Sequence, residues 1–295
     1  MFAMDALFNS AAKKGCVCIG LDVDPQYVPP SAAASLSPAE SVLKYNLALI
    51  EATADVCACY KVQIAYYEAL GLDGLKTYSK TLKAIREAGS LSIADVKRGD
   101  IAETAARYAE GHFSGDFAAD FVTLSPYMGM DSLEPWMAAA KKDGRGAFVL
   151  MRTSNKGMRD FQRQELKEGG RLYNLVGRRL SELAVKEQAG CGYGIFGAVA
   201  GCTEREEAAE IRRTYKNLFF LIPGYGAQGA AADDAALFIN KDGGGGVVNA
   251  SRSIIKAWQN NGAKDMDVSG AALEARKAAI KMRDEIKEAV GRKKA

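Results

Sequence analysis

Short apolar runs separated by helix-length stretches recur along nearly the whole chain, and this alternation limits the possible folds more than any other feature. Strands are expected at 16–21, 58–64, in the stretch opening at Ser90, and at 121–124, 146–150, 194–200, 218–222 and 246–249. Helices are expected around them: 1–14, 38–55, 72–88, 102–110, one capped by Asp131, 171–188, one opened by a Thr203-Glu204-Arg205-Glu206 capping box, and 271–290. Some boundaries are explicit. Ser37 and Pro38 suit the N-cap and the first helical position, where proline's missing N–H breaks no bond, and Gly89 closes the following helix. Eight strands alternating with helices predict an α/β fold, a single-domain (β/α)8 TIM barrel over residues 1–295, although periodicity alone also fits an open doubly wound sheet. The unusual residues favour the barrel. Asp22, Lys61, Asp95, Lys97, Ser154 and Arg252 all fall at or after the carboxyl ends of strands, where barrels carry their chemistry.

Composition removes several classes of function. With 39 basic and 36 acidic residues the net charge of +3 is too balanced to point to nucleic acid. No apolar stretch approaches the ~20 residues of a membrane span, and the first residues lack a signal peptide's basic segment and apolar core, so a cytoplasmic protein without a membrane partner is expected. Cys16-x-Cys18 and Cys57-x-Cys59 lack the two-to-four-residue spacing of zinc ligands and read as small buried hydrophobes, with no disulfide framework. The only histidine, His112, falls on the helix after the third strand, away from the barrel mouth. Histidine-based catalysis and a histidine-ligated metal are therefore not expected.

The segment from Ser90 to Thr104 begins as a strand and then breaks the pattern. Asp95 and Lys97 sit two apart and project from one face of the strand end, and Asp100 follows an Arg98-Gly99 turn. Such a cluster is costly to desolvate unless its charges neutralise one another. Taken alone it reads equally as a solvated loop, but Asp22 and Lys61 at the ends of two earlier strands make it a candidate active site. Two further turns follow the last two strands. Pro223-Gly-Tyr-Gly-Ala-Gln-Gly229 offers backbone N–H groups and the Gln228 amide, and Asn249-Ala-Ser-Arg-Ser253 offers the Arg252 guanidinium. Barrels commonly bind phosphate at these two positions. The long polar segment 152–170 has the composition of an active-site loop or lid.

Asp95-Val-Lys97-Arg-Gly-Asp100-Ile101-Ala-Glu-Thr104 resembles the D-x-K-x-x-D-I-x-x-T signature of the orotidine 5′-phosphate decarboxylase family, in the form of its longer-chain bacterial branch. The likeness continues in order through Asp22, Lys61, Thr123-Leu-Ser-Pro-Tyr-Met-Gly129, Arg152-Thr-Ser-Asn155, Pro223-Gly-Tyr-Gly-Ala-Gln228 and Asn249-Ala-Ser-Arg252. The resemblance implies decarboxylation of orotidine 5′-phosphate to uridine 5′-monophosphate with no cofactor and no metal. Lys97 would protonate C6 of the pyrimidine and Asp95 would sit against the departing carboxylate, with Lys61 and Asp100 completing an alternating-charge chain. Asp22 and Lys61 would bind ribose hydroxyls, Ser154 the pyrimidine amide, and Gln228 and Arg252 the phosphate, with Ile101, Pro223 and Ser251 as further substrate contacts. In the family the second aspartate and the following threonine reach into a neighbouring subunit's site. Asp100 and Thr104 would then act in trans, in a homodimer with shared active sites.

Three rivals stay open on the residues. Sugar-phosphate lyases resembling 3-hexulose-6-phosphate synthase share D-x-K-x-x-D but place magnesium on the acids. A Schiff-base aldolase through Lys61 or Lys97 is weakened by flanking acids that hold both lysines protonated. A non-catalytic phosphate-binding barrel has no need of so costly a charge cluster.

Overall fold

A computed structural model describes residues 1–226, 231–261 and 266–293, and in it the expected barrel closes. The strands β1 (Val17–Gly20), β2 (Cys59–Gln63), β3 (Leu91–Arg98), β4 (Phe121–Leu124), β5 (Gly146–Arg152), β6 (Phe196–Ala200), β7 (Phe220–Ile222) and β8 (Gly246–Ala250) pair in sequence order, all parallel. β8 returns to β1, so Cys18 lies between Cys59 on one side and Asn249 on the other, and no sheet edge remains.

Register is fixed partly by large residues set against small ones. Phe121 pairs with Gly146 and Phe148 with Gly197. A Cβ on Gly146 would come within 2.6 Å of the Phe121 ring, and one on Gly197 within 2.8 Å of the Phe148 ring. Sliding either strand by one residue would drive these rings into backbone that cannot yield.

The helix Pro38–Thr53 starts as its sequence predicts. Ser37 Oγ accepts from the Glu40 N–H at 3.3 Å, and the Glu40 carboxylate accepts from the Ser37 N–H at 2.9 Å. The helix Gly71–Glu87 is followed by Gly89 at φ +65°, a conformation that favours glycine.

Two capping expectations are corrected. Asp131 lies inside a 3-10 turn (Met130–Leu133) and caps nothing at the start of the helix Glu134–Asp143. The helix Arg205–Thr214 has Glu204 at its N-cap without a side-chain cap, because the Thr203 hydroxyl accepts from Arg152 instead. That bond serves the one Arg152 nitrogen not turned to Glu207, in a completely buried guanidinium, while a helix N–H can turn to water.

The cysteines and His112 behave as core. Burial pushes the Cys16 and Cys57 thiols up to about 12. His112 is buried on the helix Ala102–Phe113, stacked on Trp136 with ring centroids 6.3 Å apart. Among the described residues no helix is long and apolar enough to cross a membrane.

Candidate active site

Lys61 and Gln63 alternate on β2, so both side chains leave the same side of the strand near its carboxyl end. On the neighbouring β3, Asp95 receives four donors. Lys61 Nζ donates to Asp95 Oδ2 at 2.8 Å and to Asp22 Oδ1 at 3.2 Å, and Lys97 Nζ donates to Asp95 Oδ1 at 2.6 Å. Gln63 Nε2 adds a bond to Oδ2 at 3.0 Å and Thr123 Oγ1 one to Oδ1 at 2.9 Å. Every accepting position of the carboxylate is taken.

Lys61 and Asp95 are each 6% exposed, and burial by itself disfavours charge on both. Their neighbours outweigh it. For Lys61, Asp22 and Asp95 raise the pKa above the usual lysine range; for Asp95, Lys61 and Lys97 hold the carboxyl well below the usual carboxylate range. Ser251 Oγ donates to Asp22 Oδ2 at 2.7 Å. Asp22, Lys61, Asp95 and Lys97 thus form one line of alternating charge, tied at one end to the loop after β8. Gly20 makes the tie possible, since a Cβ there would fall 1.9 Å from Ser251 Oγ.

β3 slips against β4 at this point. Ala94 pairs with Val122 and Arg98 with Leu124, so Asp95, Val96 and Lys97 face the single residue Thr123. Lys97 sits at φ +44°, the left-handed region that side-chain-bearing residues rarely adopt. Its N–H donates to Thr123 Oγ1 at 2.9 Å, and the ladder resumes where the Ser125 N–H donates to the Arg98 carbonyl at 2.7 Å. The Lys97 side chain is 47% exposed, against 8% for that of Asp95.

Asp100, Ile101 and Thr104 are not brought to this array. Asp100 Oδ1 accepts from the Ile101 N–H at 2.8 Å, and Ile101 and Thr104 lie exposed at the start of the helix Ala102–Phe113. The adjoining loop after β4, which meets Gly99 through Ser125, leaves Tyr127 and Met128 exposed as well.

Ser154 follows β5 and packs on Gly201, where an added Cβ would come within 3.0 Å of the serine Cβ. At the foot of its loop Arg152 is completely buried. Its Nε and Nη2 donate to Glu207 Oε2 at 3.1 and 3.0 Å, and its Nη1 donates to Thr203 Oγ1 at 3.0 Å. The other oxygen of Glu207 meets Arg163 at 2.8 Å and Arg171 at 2.6 Å. One carboxylate therefore gathers three guanidinium groups, from the first residue, the middle and the residue just past the end of the segment expected to be a loop or lid, which also contains one helical turn, Met158–Phe161.

At the other rim, Arg252 opens the short helix Arg252–Ile255 with its side chain exposed. Pro223 follows β7, and Gly226, at φ +71°, has Ser253 where its Cβ would point, so the turns after β7 and β8 meet. Gln228 lies outside the described residues.

Sequence reasoning missed Gln63 and Glu207, and it named Thr123 only as the first residue of the Thr123–Gly129 stretch, without a role. Gln63 was findable, being two residues beyond Lys61 on one strand and so on its face. The role of Thr123 was hinted at only by its being the lone hydroxyl in an apolar strand, and Glu207 had no local signal.

Residues 16–264 match the model of the orotidine 5′-phosphate decarboxylase / HUMPS family. The chain is 50% identical to the orotidine 5′-phosphate decarboxylase of Clostridium acetobutylicum over 287 residues, covering 96% of this chain and 98% of the relative. It is 49% identical to that of Clostridium kluyveri over 285 residues, covering 96% of each. Among solved structures, the OMP decarboxylase of Leishmania donovani superposes with a TM-score of 0.77 at 30% identity, covering 99% of this chain and 100% of that one. A putative orotidine 5′-phosphate decarboxylase from Streptomyces avermitilis superposes with a TM-score of 0.80 at 30% identity, covering 98% of this chain and 96% of that one.

Proposed function

The chain belongs to the orotidine 5′-phosphate decarboxylase / HUMPS family, and we infer that it decarboxylates orotidine 5′-phosphate to uridine 5′-monophosphate, the last step of de novo pyrimidine nucleotide synthesis, with no metal or cofactor. The observation that carries the mechanism is the half-exposed Lys97 ammonium held 2.6 Å from a fully bonded Asp95. Loss of carbon dioxide leaves an electron pair on C6 in the plane of the ring, where no π-system can accept it. A fixed cation must meet that charge as it forms.

The substrate carboxylate sits against Asp95, the bond from C6 to the carboxylate carbon breaks, and the pair left on C6 takes a proton from Lys97 Nζ. Lys97 then recovers its proton from solvent. One charge pair at ~4 Å and an effective dielectric near 20 contributes about 4 kcal/mol. Enzymes supply ~8–23 kcal/mol, so the whole line of charges, with phosphate binding energy used to close the loops, must cover the difference. Asp22 and Lys61 hold the ribose hydroxyls, Ser154 the pyrimidine amide, and Arg252 and Gln228 the phosphate, with Ile101, Pro223 and Ser251 lining the substrate.

Asp100 and Thr104 serve the site of a second copy, in a homodimer with shared sites. The Asp100 bond to Ile101 rather than to the array, and the exposed Ile101, Tyr127 and Met128, support that assignment. The whole chain acts as one catalytic unit in the cytoplasm, without a nucleic-acid or membrane partner.

The magnesium-dependent sugar-phosphate reading is disfavoured by Asp95, whose lone pairs are committed to ammonium, amide and hydroxyl donors. Among the described residues no three His, Cys, Asp or Glu side chains gather as a metal site. Turnover of orotidine 5′-phosphate that survives EDTA supports the proposal. Activity on hexulose phosphates that requires added magnesium would reassign the chain to the lyases.

A further inference from the structure

We propose that Thr123 is a positioning residue for the proton-donating lysine, fixing the Lys97 backbone and the Asp95 carboxylate through one hydroxyl. The proposal rests on the reading of Lys97 as proton donor. Three residues of β3 face Thr123 alone, so the Lys97 N–H donates not to a ladder carbonyl but to the threonine side chain, at 2.9 Å. An N–H can only donate, so Oγ1 accepts there. Its own proton is then left for Asp95 Oδ1, also 2.9 Å away. That same carboxylate oxygen receives Lys97 Nζ at 2.6 Å.

The contacts close a ring: Lys97 N–H to Thr123, Thr123 to Asp95, and Asp95 back to the Lys97 ammonium. Lys97 is held at both ends, by its backbone and by its charged tip. Its left-handed backbone, at φ +44°, persists only where surroundings over-determine it. At 1% exposure Thr123 leaves no room for water to take over either bond. Among the described residues the Thr123 hydroxyl bonds to Lys97 and Asp95 and to none of the groups assigned to ribose, pyrimidine or phosphate, so it bears on proton delivery more than on binding.

The test compares Thr123→Val, Thr123→Ser and Lys97→Ala for turnover and for affinity toward uridine 5′-monophosphate. Removing a hydrogen bond to a charged group predicts that Thr123→Val lowers kcat ~10–100-fold while product affinity changes less than about threefold, and that Thr123→Ser restores most of kcat. Unchanged kcat in Thr123→Val would overturn the proposal, as would a parallel loss of product affinity or a failure of Thr123→Ser to restore turnover. If Thr123→Val does not fold, Thr123→Ala, which places no methyl against the carboxylate, is held to the same criteria. Retained turnover in Lys97→Ala would instead remove the reading on which the proposal rests, whatever Thr123 does.

Discussion

Arg152 and Glu207 form a buried ion pair at the foot of the loop that carries Ser154, two guanidinium nitrogens lying 3.1 and 3.0 Å from a single carboxylate oxygen. Removing one partner of such a pair strands the other charge, which costs ~3–5 kcal/mol. Glu207→Gln is therefore expected to lower the thermal midpoint. It should also weaken uridine 5′-monophosphate binding far more than ribose 5-phosphate binding, because the affected loop carries Ser154, the residue proposed to hold the pyrimidine. Calorimetric titration of the two ligands checks this, and equal losses for both would contradict it.

His112 makes stability depend on pH. Burial, helped by Arg98, pushes its pKa down to about 4 from 6.5, and its buried Nδ1 has no hydrogen-bond partner among the described residues. Between those values the unfolded chain binds a proton that the folded chain does not. Stability should fall as pH drops from 6.5 towards 4, by up to about 3 kcal/mol from this group, and this group adds no further loss below that. Urea denaturation across the window should give a flatter profile for His112→Gln than for the parent chain.

The proposed sharing of sites between two copies predicts complementation. Lys97→Ala and Asp100→Ala homodimers should both be impaired. Mixing the two chains after unfolding together should restore about a quarter of wild-type activity, since half of the dimers are mixed and each mixed dimer holds one intact site. No recovery on mixing would show that Asp100 acts within its own chain.

The barrel and its chemical rim were legible in the sequence for physical reasons. Parallel strands buried on both faces must be apolar, so Lys61, Asp95 and Lys97 stood out against Val62, Ile93 and Val96. The capping box at Ser37 was legible because it is wholly local. The failure at Thr203 was not, because its hydroxyl is claimed by Arg152, 51 residues earlier in the chain. The bulge that sets three residues of β3 against Thr123 depends on register between strands, which a period-two pattern does not specify. Glu207 was invisible for a related reason. Its three arginine partners come from the end of β5, the segment after it and the N-cap of the next helix, and on its own helix it reads as an ordinary first-turn acid.

The most direct measurement follows the absorbance of orotidine 5′-phosphate in the presence of EDTA, with the parent chain and with Lys97→Ala at matched thermal stability. The parent chain is expected to convert the substrate to uridine 5′-monophosphate. Lys97→Ala should bind that product normally yet turn over at least ~10²–10⁴-fold more slowly, the range expected for loss of a positioned proton donor and its charge. Turnover in Lys97→Ala equal to that of the parent would contradict the central claim that the ammonium held by Asp95 delivers the proton to C6.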